Sequence, residues 1–168
     1  PRVRVVRQDN RGAGAATNLG IRQSIFPVIA SLDADDIWLP GKMETQLRHM
    51  SAHPEVSAVF THLKTFRDDG LLAGADVAGP GWSRTTMVIR REAAVAIGDL
   101  VDLPGSGRGE MIDWLARARH LGFRLDMLDE VLALRRVRPG SLSYGRDAGK
   151  DQGYARVAWL ALQRRKAK

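Results

Sequence analysis

Ile25-Phe26-Pro27-Val28-Ile29-Ala30-Ser31-Leu32-Asp33-Ala34-Asp35-Asp36 is the stretch whose reading decides the fold. From Ile25 to Leu32 the run is nearly all apolar, and it ends in three carboxylates within four residues. A run without polar alternation suits a strand buried on both faces of a parallel sheet. Ahead of it, Arg2–Arg7 has the β-branched, partly alternating pattern of a short strand, and Gln8–Gly12 is turn chemistry. Small residues from Ala13 to Ala16 then lead a helical stretch to about Ser24. Strand, helix and strand at this spacing predict a βαβ unit.

Beyond the acids, Met43, Leu47 and Met50 recur at helical spacing, which predicts an amphipathic helix from Gly41 to about His53 whose stripe faces the core. Strands are expected at Val56–Phe66 and Met87–Ile89, with Asp68–Gly70 a turn and Ala73–Trp82 a Gly- and Pro-rich loop. A short helix follows at Arg91–Ile97. Asp102–Gly109, with Pro104 and three glycines, reads as a mobile loop before a helix from Glu110 to about Leu121. Arg124–Leu128 and Val131–Val137 read as two strands, the second at an edge. The architecture expected is α/β with a mostly parallel sheet flanked by helices. In such sheets ligands sit beyond the carboxyl ends of the strands, which singles out the segment after Leu32. The chain divides into a main domain over 1–146 and, over 147–168, a last amphipathic helix carrying Tyr154, Val157 and Ala161 with a basic tail.

At 168 residues and 18.5 kDa the chain has the size of one domain. It has no cysteine, which excludes a disulfide scaffold, a thiolate zinc site and a cysteine nucleophile. No run of about 18 apolar residues occurs, so no transmembrane helix is expected within it. The net charge is +7, and 21 of the 26 basic residues are arginine. Because the arginines are scattered, an electrostatic binder of nucleic acid or of an anionic membrane surface is the weakest reading. It rests on the pI of about 10.5 and on the run Arg164–Lys168.

Asp33, Asp35 and Asp36 repel one another unless a cation or hydrogen-bond donor answers them. One or two carboxylates combined with substrate phosphates are the usual way of holding a hard divalent cation. In an extended segment Asp33 and Asp35 point the same way. An exposed acidic turn capping the next helix would have the same composition. Trp38 reads as packing for that helix, and His49, His53, His62 and His120 as structural.

Gln8-Asp9-Asn10-Arg11-Gly12, Ala16-Thr17-Asn18-Leu19-Gly20 and Leu32-Asp33-Ala34-Asp35-Asp36-Ile37-Trp38-Leu39-Pro40-Gly41-Lys42 together resemble the family 2 glycosyltransferases of GT-A fold, with their Q-x-N-x-G, A-R-N-x-G and L-D-A-D-D-x-W-x-P-x-K motifs. The resemblance implies an inverting, metal-dependent transfer of a sugar from a nucleotide-diphosphate sugar to a hydroxyl of a carbohydrate, lipid or protein. It places Asp33 on the donor and Asp35 on a divalent cation, Mg²⁺ or Mn²⁺, with Asp33 as a further metal candidate and Asp36 in support. Asn10, Gly12 and Asn18 are expected beside the donor, and Thr17 stands where the family has arginine. The location it implies is cytoplasmic, with peripheral contact at the inner membrane face.

Transfer to a hydroxyl also needs a base. Gly109-Glu110-Met111-Ile112-Asp113-Trp114 resembles the family's G-E-D-x-D-W, except that Met111 replaces the aspartate that usually serves. Asp113 is then the first candidate and Glu110 the second. Asp113 also suits a plain ion pair with Arg117 at i+4. Farther on, Arg138 stands in place of a histidine of the family. The resemblance begins in the middle of the family's domain, so a carboxyl-terminal portion is expected, short of the whole by roughly 60 residues if two βα units precede it. A non-catalytic nucleotide-sugar-binding remnant of the fold is the alternative that Met111 leaves open.

Overall fold

A computed structural model describes residues 3–66, 78–101 and 109–138, together with 159, 160 and 163. The expected turn at Asp68–Gly70, the loop at Asp102–Arg108, and the last helix and tail lie wholly or largely outside them. The elements in order are α1 (Gly12–Gln23), β1 (Val28–Ala30), β2 (Ile37–Trp38), α2 (Lys42–Ala52), β3 (Val56–Phe66), β4 (Gly79–Pro80), a short 3-10 helix (Arg84–Thr86), β5 (Val88–Arg90), α3 (Arg91–Ile97), α4 (Glu110–His120) and β6 (Arg124–Arg136).

One sheet runs in the order β1-β5-β3-β6-β2, with β4 added on β3. The α/β class holds. The parallel sense expected for most of the sheet belongs to its longest ladder, β3 with β6. The other pairings, β1 with β5, β2 with β6, and β3 with β4 and β5, are antiparallel. An apolar run looks the same in either sense, and it is the connections between strands that decide.

Three local expectations change. Residues 3–10 are irregular and exposed, because a β-branched run becomes a strand only where a neighbour completes its ladder, and no described strand lies beside them. β1 is short and half-buried, with Ile25 and Phe26 exposed, since among the described strands it pairs only with β5. The two strands read at Arg124–Leu128 and Val131–Val137 are a single β6 interrupted by a bulge. Thr61 of β3 faces Leu128, but the next residue, His62, faces Val131, so Asp129 and Glu130 are extra. Far from lying at an edge, β6 is flanked by β3 and β2.

Alternation from Ala58 onward, with an irregularity between Val56 and Ala58, divides the core along β3. Ala58 and Phe60 face α3 and α4 in a cluster with Ile89, Ile97, Trp114 and Leu115. Val56 and Val59 face α2 in a second cluster with Met50 and Val88. Of the helical stripe, Met50 is buried and Met43 packs against it, whereas Leu47 stays exposed. Each fully buried large side chain contributes about 1.5–3 kcal/mol. Trp114 is fully buried, and its Nε1 donates to the Gly98 carbonyl at 2.9 Å. Gly81 is required by a close approach: a Cβ there would sit 2.6 Å from the Thr61 carbonyl oxygen and 2.7 Å from Thr86 Cγ2.

Two buried polar groups yield predictions. Asn18 Nδ2 donates to the Leu100 carbonyl and Asn18 Oδ1 accepts from Leu100 N–H, both at 2.8 Å, tying α1 to the segment after α3. Asn18→Ala leaves two buried backbone groups unpaired, so a loss of about 2 kcal/mol is expected in urea unfolding. Lys42 is buried with its Nζ 4.3 Å from the Trp38 ring centroid and without a hydrogen-bond partner among the described residues. Burial lowers its pKa to about 8. The folded state therefore loses this proton before the unfolded chain does, and stability rises with pH from about 8 to the ordinary lysine value near 10.4. Lys42→Met is expected to flatten that rise and to match or exceed the parent at pH 7, read from melting temperatures across that range.

Candidate active site

The acids at the end of β1 open onto a cleft of about 1490 Å³, whose walls include Gly12 and Thr17 of α1, Arg84, the start of α4, and Arg135, Arg136 and Arg138 of β6 and its continuation. Each carboxylate is answered differently. Asp33 is gripped by Arg84, with Nε 3.2 Å from Oδ1 and Nη2 3.3 Å from Oδ2. Asp36 accepts the Thr85 hydroxyl at Oδ2 and the Arg136 backbone N–H at Oδ1, the latter at 3.0 Å. Asp35 lends its backbone carbonyl to Arg136 Nε at 2.9 Å, while its carboxylate has no partner among the described residues.

Arg84 is the link that sequence reasoning missed. Its Nη1 donates to Glu110 Oε1 at 2.6 Å, so one guanidinium joins the acid at the strand tip to the first residue of α4. Burial works against its charge, but the ion pairs with Asp33 and Glu110 outweigh that and hold it above its ordinary range. Its carbonyl accepts from Ser31 Oγ at 2.8 Å and from Met87 N–H at 3.0 Å, which fixes the backbone that carries it. Glu110 is set by Gly109, whose φ of 108° is a left-handed turn into α4 that favours glycine.

The two base candidates separate. Glu110 and the side of α4 at Met111 and Ile112 border the cleft. Asp113 does not border it. It is buried, and its Oδ2 accepts from Arg117 Nε at 2.9 Å. The same arginine reaches the carbonyls of Ile97 and Asp99, closing the end of α3. Of the residues expected beside the donor, Gly12 borders the cleft. Asn10 and Asn18 do not: Asn10 Oδ1 accepts from Gly12 N–H at 3.2 Å, and Asn18 is spent on Leu100.

Trp38 is packing, as its sequence position implied: Nε1 donates to the Thr85 carbonyl at 2.7 Å. His49 pairs with Asp126 at 2.8 Å on α2, away from the cleft. Among the described residues no three side chains cluster as ligands for a metal ion. Asp35 is a cleft-lining carboxylate left open while its neighbours are engaged, so a divalent cation here would depend on phosphate oxygens for the rest of its shell. Arg138, in place of histidine, supplies no ligand.

The glycosyl transferase family 2 model matches residues 1–100, and the chain belongs to that family. It is 43% identical over 56 residues to the amylovoran biosynthesis glycosyltransferase AmsE of Erwinia amylovora, a match covering 33% of this chain and 21% of that protein. It is 31% identical over 80 residues to an uncharacterised glycosyltransferase of Nostoc sp., covering 47% of this chain and 24% of the other. The chain thus aligns with less than a quarter of the length of these curated relatives. In fold it is similar to S. aureus TarS 1-349, solved in complex with UDP-GlcNAc, with a TM-score of 0.67 at 14% identity. That likeness covers 95% of this chain and 48% of TarS. The GT-A-like fold expected from the motifs is therefore the fold observed. No helix among the described residues is long and apolar enough to cross a membrane.

Burial raises the Asp36 pKa, the Thr85 and Arg136 hydrogen bonds pull it down, and the charges of Asp33 and Asp35 push it up again, leaving it above the ordinary value. The folded state therefore binds this proton more readily, and Asp36 subtracts stability as pH rises from the ordinary value through the raised one. An asparagine side chain at this position can keep both contacts, accepting from the Arg136 N–H and donating to the Thr85 hydroxyl oxygen. Asp36→Asn is expected to equal or exceed the parent in melting temperature at pH 7 and to lose that advantage toward pH 4.

Proposed function

We propose that this chain belongs to a catalytic domain that moves a sugar, with inversion, from a nucleotide-diphosphate sugar to a hydroxyl of a carbohydrate, lipid or protein. The observation that carries the reading is that Asp33, Asp35 and Glu110 border a single cleft together with Arg11, Arg135 and Arg138. Those guanidiniums match the charge and geometry of a diphosphate. Asp33 takes the donor side, and Asp36 holds the acidic turn to β6. Asp35 would hold Mg²⁺ or Mn²⁺, with phosphate oxygens completing the shell, and the cation would neutralise charge growing on the departing diphosphate.

Glu110 is the base. Its Oε2 accepts no hydrogen bond among the described residues, which leaves an oxygen for the acceptor's proton as the hydroxyl oxygen attacks the anomeric carbon and the bond to the diphosphate breaks. Asp113, paired with Arg117 behind α4, has a structural part.

The test takes UDP-GlcNAc as the donor probe, since TarS was solved with it. Millimolar UDP-GlcNAc with Mn²⁺ is expected to raise the melting temperature, and Asp35→Ala to abolish the rise. Glu110→Gln should keep the rise and lower sugar release to water by about 10²–10⁴-fold, the usual scale for a lost general base. Full activity in Glu110→Gln, with loss in a stably folded Asp113→Asn, would move the base to Asp113. Absence of any shift in the parent would count against the donor class.

A further inference from the structure

We propose that Arg84 is the resident cation of the donor-free site, closing Asp33 to free divalent metal so that free metal is held only weakly, through Asp35, and binds tightly only together with the nucleotide diphosphate. The inference rests on the transferase reading above and adds an order of assembly to it.

The guanidinium spends its Nε and Nη2 on the two oxygens of Asp33 and its Nη1 on Glu110. A forked contact of this kind engages both carboxylate oxygens at once. With the Arg84 side chain only 12% exposed and its carbonyl held by Ser31 and Met87, the positive charge has little room to drift. Asp36 is occupied by Thr85 and Arg136, so Asp35 is the acid of the turn that remains open.

One carboxylate holds Mg²⁺ or Mn²⁺ weakly without phosphate oxygens, and the neighbouring guanidinium repels a second cation. A diphosphate reverses both conditions. It brings oxygens for the metal, and it gives Arg84 an anionic partner that competes with Asp33. A ligand moves such an equilibrium only through its different affinity for the two arrangements, and the diphosphate has that difference while free metal has the opposite one. Arg84 is then a positioning residue that couples the donor side of the cleft to Glu110.

The experiment titrates Mn²⁺ alone into the protein and follows loss of the free-ion electron paramagnetic resonance signal. Arg84→Gln is expected to bind Mn²⁺ about tenfold tighter than the parent, the scale set by removing one adjacent opposing charge. Asp33→Asn is expected to weaken Mn²⁺ binding by no more than about tenfold, the scale of one lost neighbouring charge, and not to remove it, because Asp33 is closed to the free ion. Asp35→Ala should remove Mn²⁺ binding.

Unchanged affinity in an Arg84→Gln protein whose circular dichroism matches the parent would overturn the proposal. So would an Asp33→Asn loss as large as that of Asp35→Ala, a result that needs no Arg84 variant to fold. If Asp35→Ala binds Mn²⁺ as the parent does, the metal assignment falls and the proposal with it. A UDP-GlcNAc-dependent rise in melting temperature that survives either of the first two failures would leave the transferase reading standing.

Discussion

Three carboxylates at the tip of one short strand cannot remain charged side by side unless the rest of the molecule answers them, and much of this structure is arranged as that answer. The turn at Asp33–Asp36 draws Arg84 and Thr85 from the 3-10 helix ahead of β5 and Arg136 from the far end of β6. Those elements reach it because β1 pairs with β5 and β2 pairs with β6 on either side of the acids. Electrostatics and sheet order are therefore one constraint: a different neighbour for β1 or β2 would leave the acids unanswered.

Sequence reading was strongest where the signal is local. The helices α2, α3 and α4 stand close to where periodicity and glycine stops put them, and the pause at Asp129–Glu130 was a true feature of the strand. What it marks is a bulge and not a strand end, because composition records an interruption in the ladder but not whether the chain resumes in the same direction. The two-residue strands β2 and β4 carry too few residues to show any period, and their existence depends on partners far along the chain. The same holds in reverse for residues 3–10, whose strand-like composition meets no described neighbour.

The site was legible to the extent that it is written in consecutive residues. Asp33, Asp35 and Glu110 belong to motifs and do border the cleft. Arg84 is a lone arginine in a chain where 21 of 26 basic residues are arginine, so its position carried no signal until Asp33 and Glu110 were seen on either side of it. The motif puts Asp113 ahead of Glu110 once Met111 displaces the usual base, but a motif does not say where along the helix the cleft lies. The cleft meets α4 at its first turn, and one turn inward the helix is already against α3 through Arg117. Asn18 illustrates the same limit, since a motif asparagine can serve the backbone of its own fold as well as a ligand.

The bulge in β6 has a consequence of its own. Ahead of it, Leu125–Leu128 are registered against Ala58–Thr61; after it, Ala133–Arg136 are registered against Leu63–Phe66. The first half of β6 lies by the surface network of His49, Asp126, Arg124 and Glu55, and the second half carries Arg136 to the acidic turn. Between them the residues 129–132 act as an expansion joint. A length change there can be taken up by the size of the bulge without sliding either ladder, whereas in an unbroken strand a one-residue slip would turn every later side chain to the opposite face. Descendants of this chain are therefore free to lengthen or shorten that seam, at the centre of the sheet, while Arg136 keeps its hold on Asp35 and Asp36.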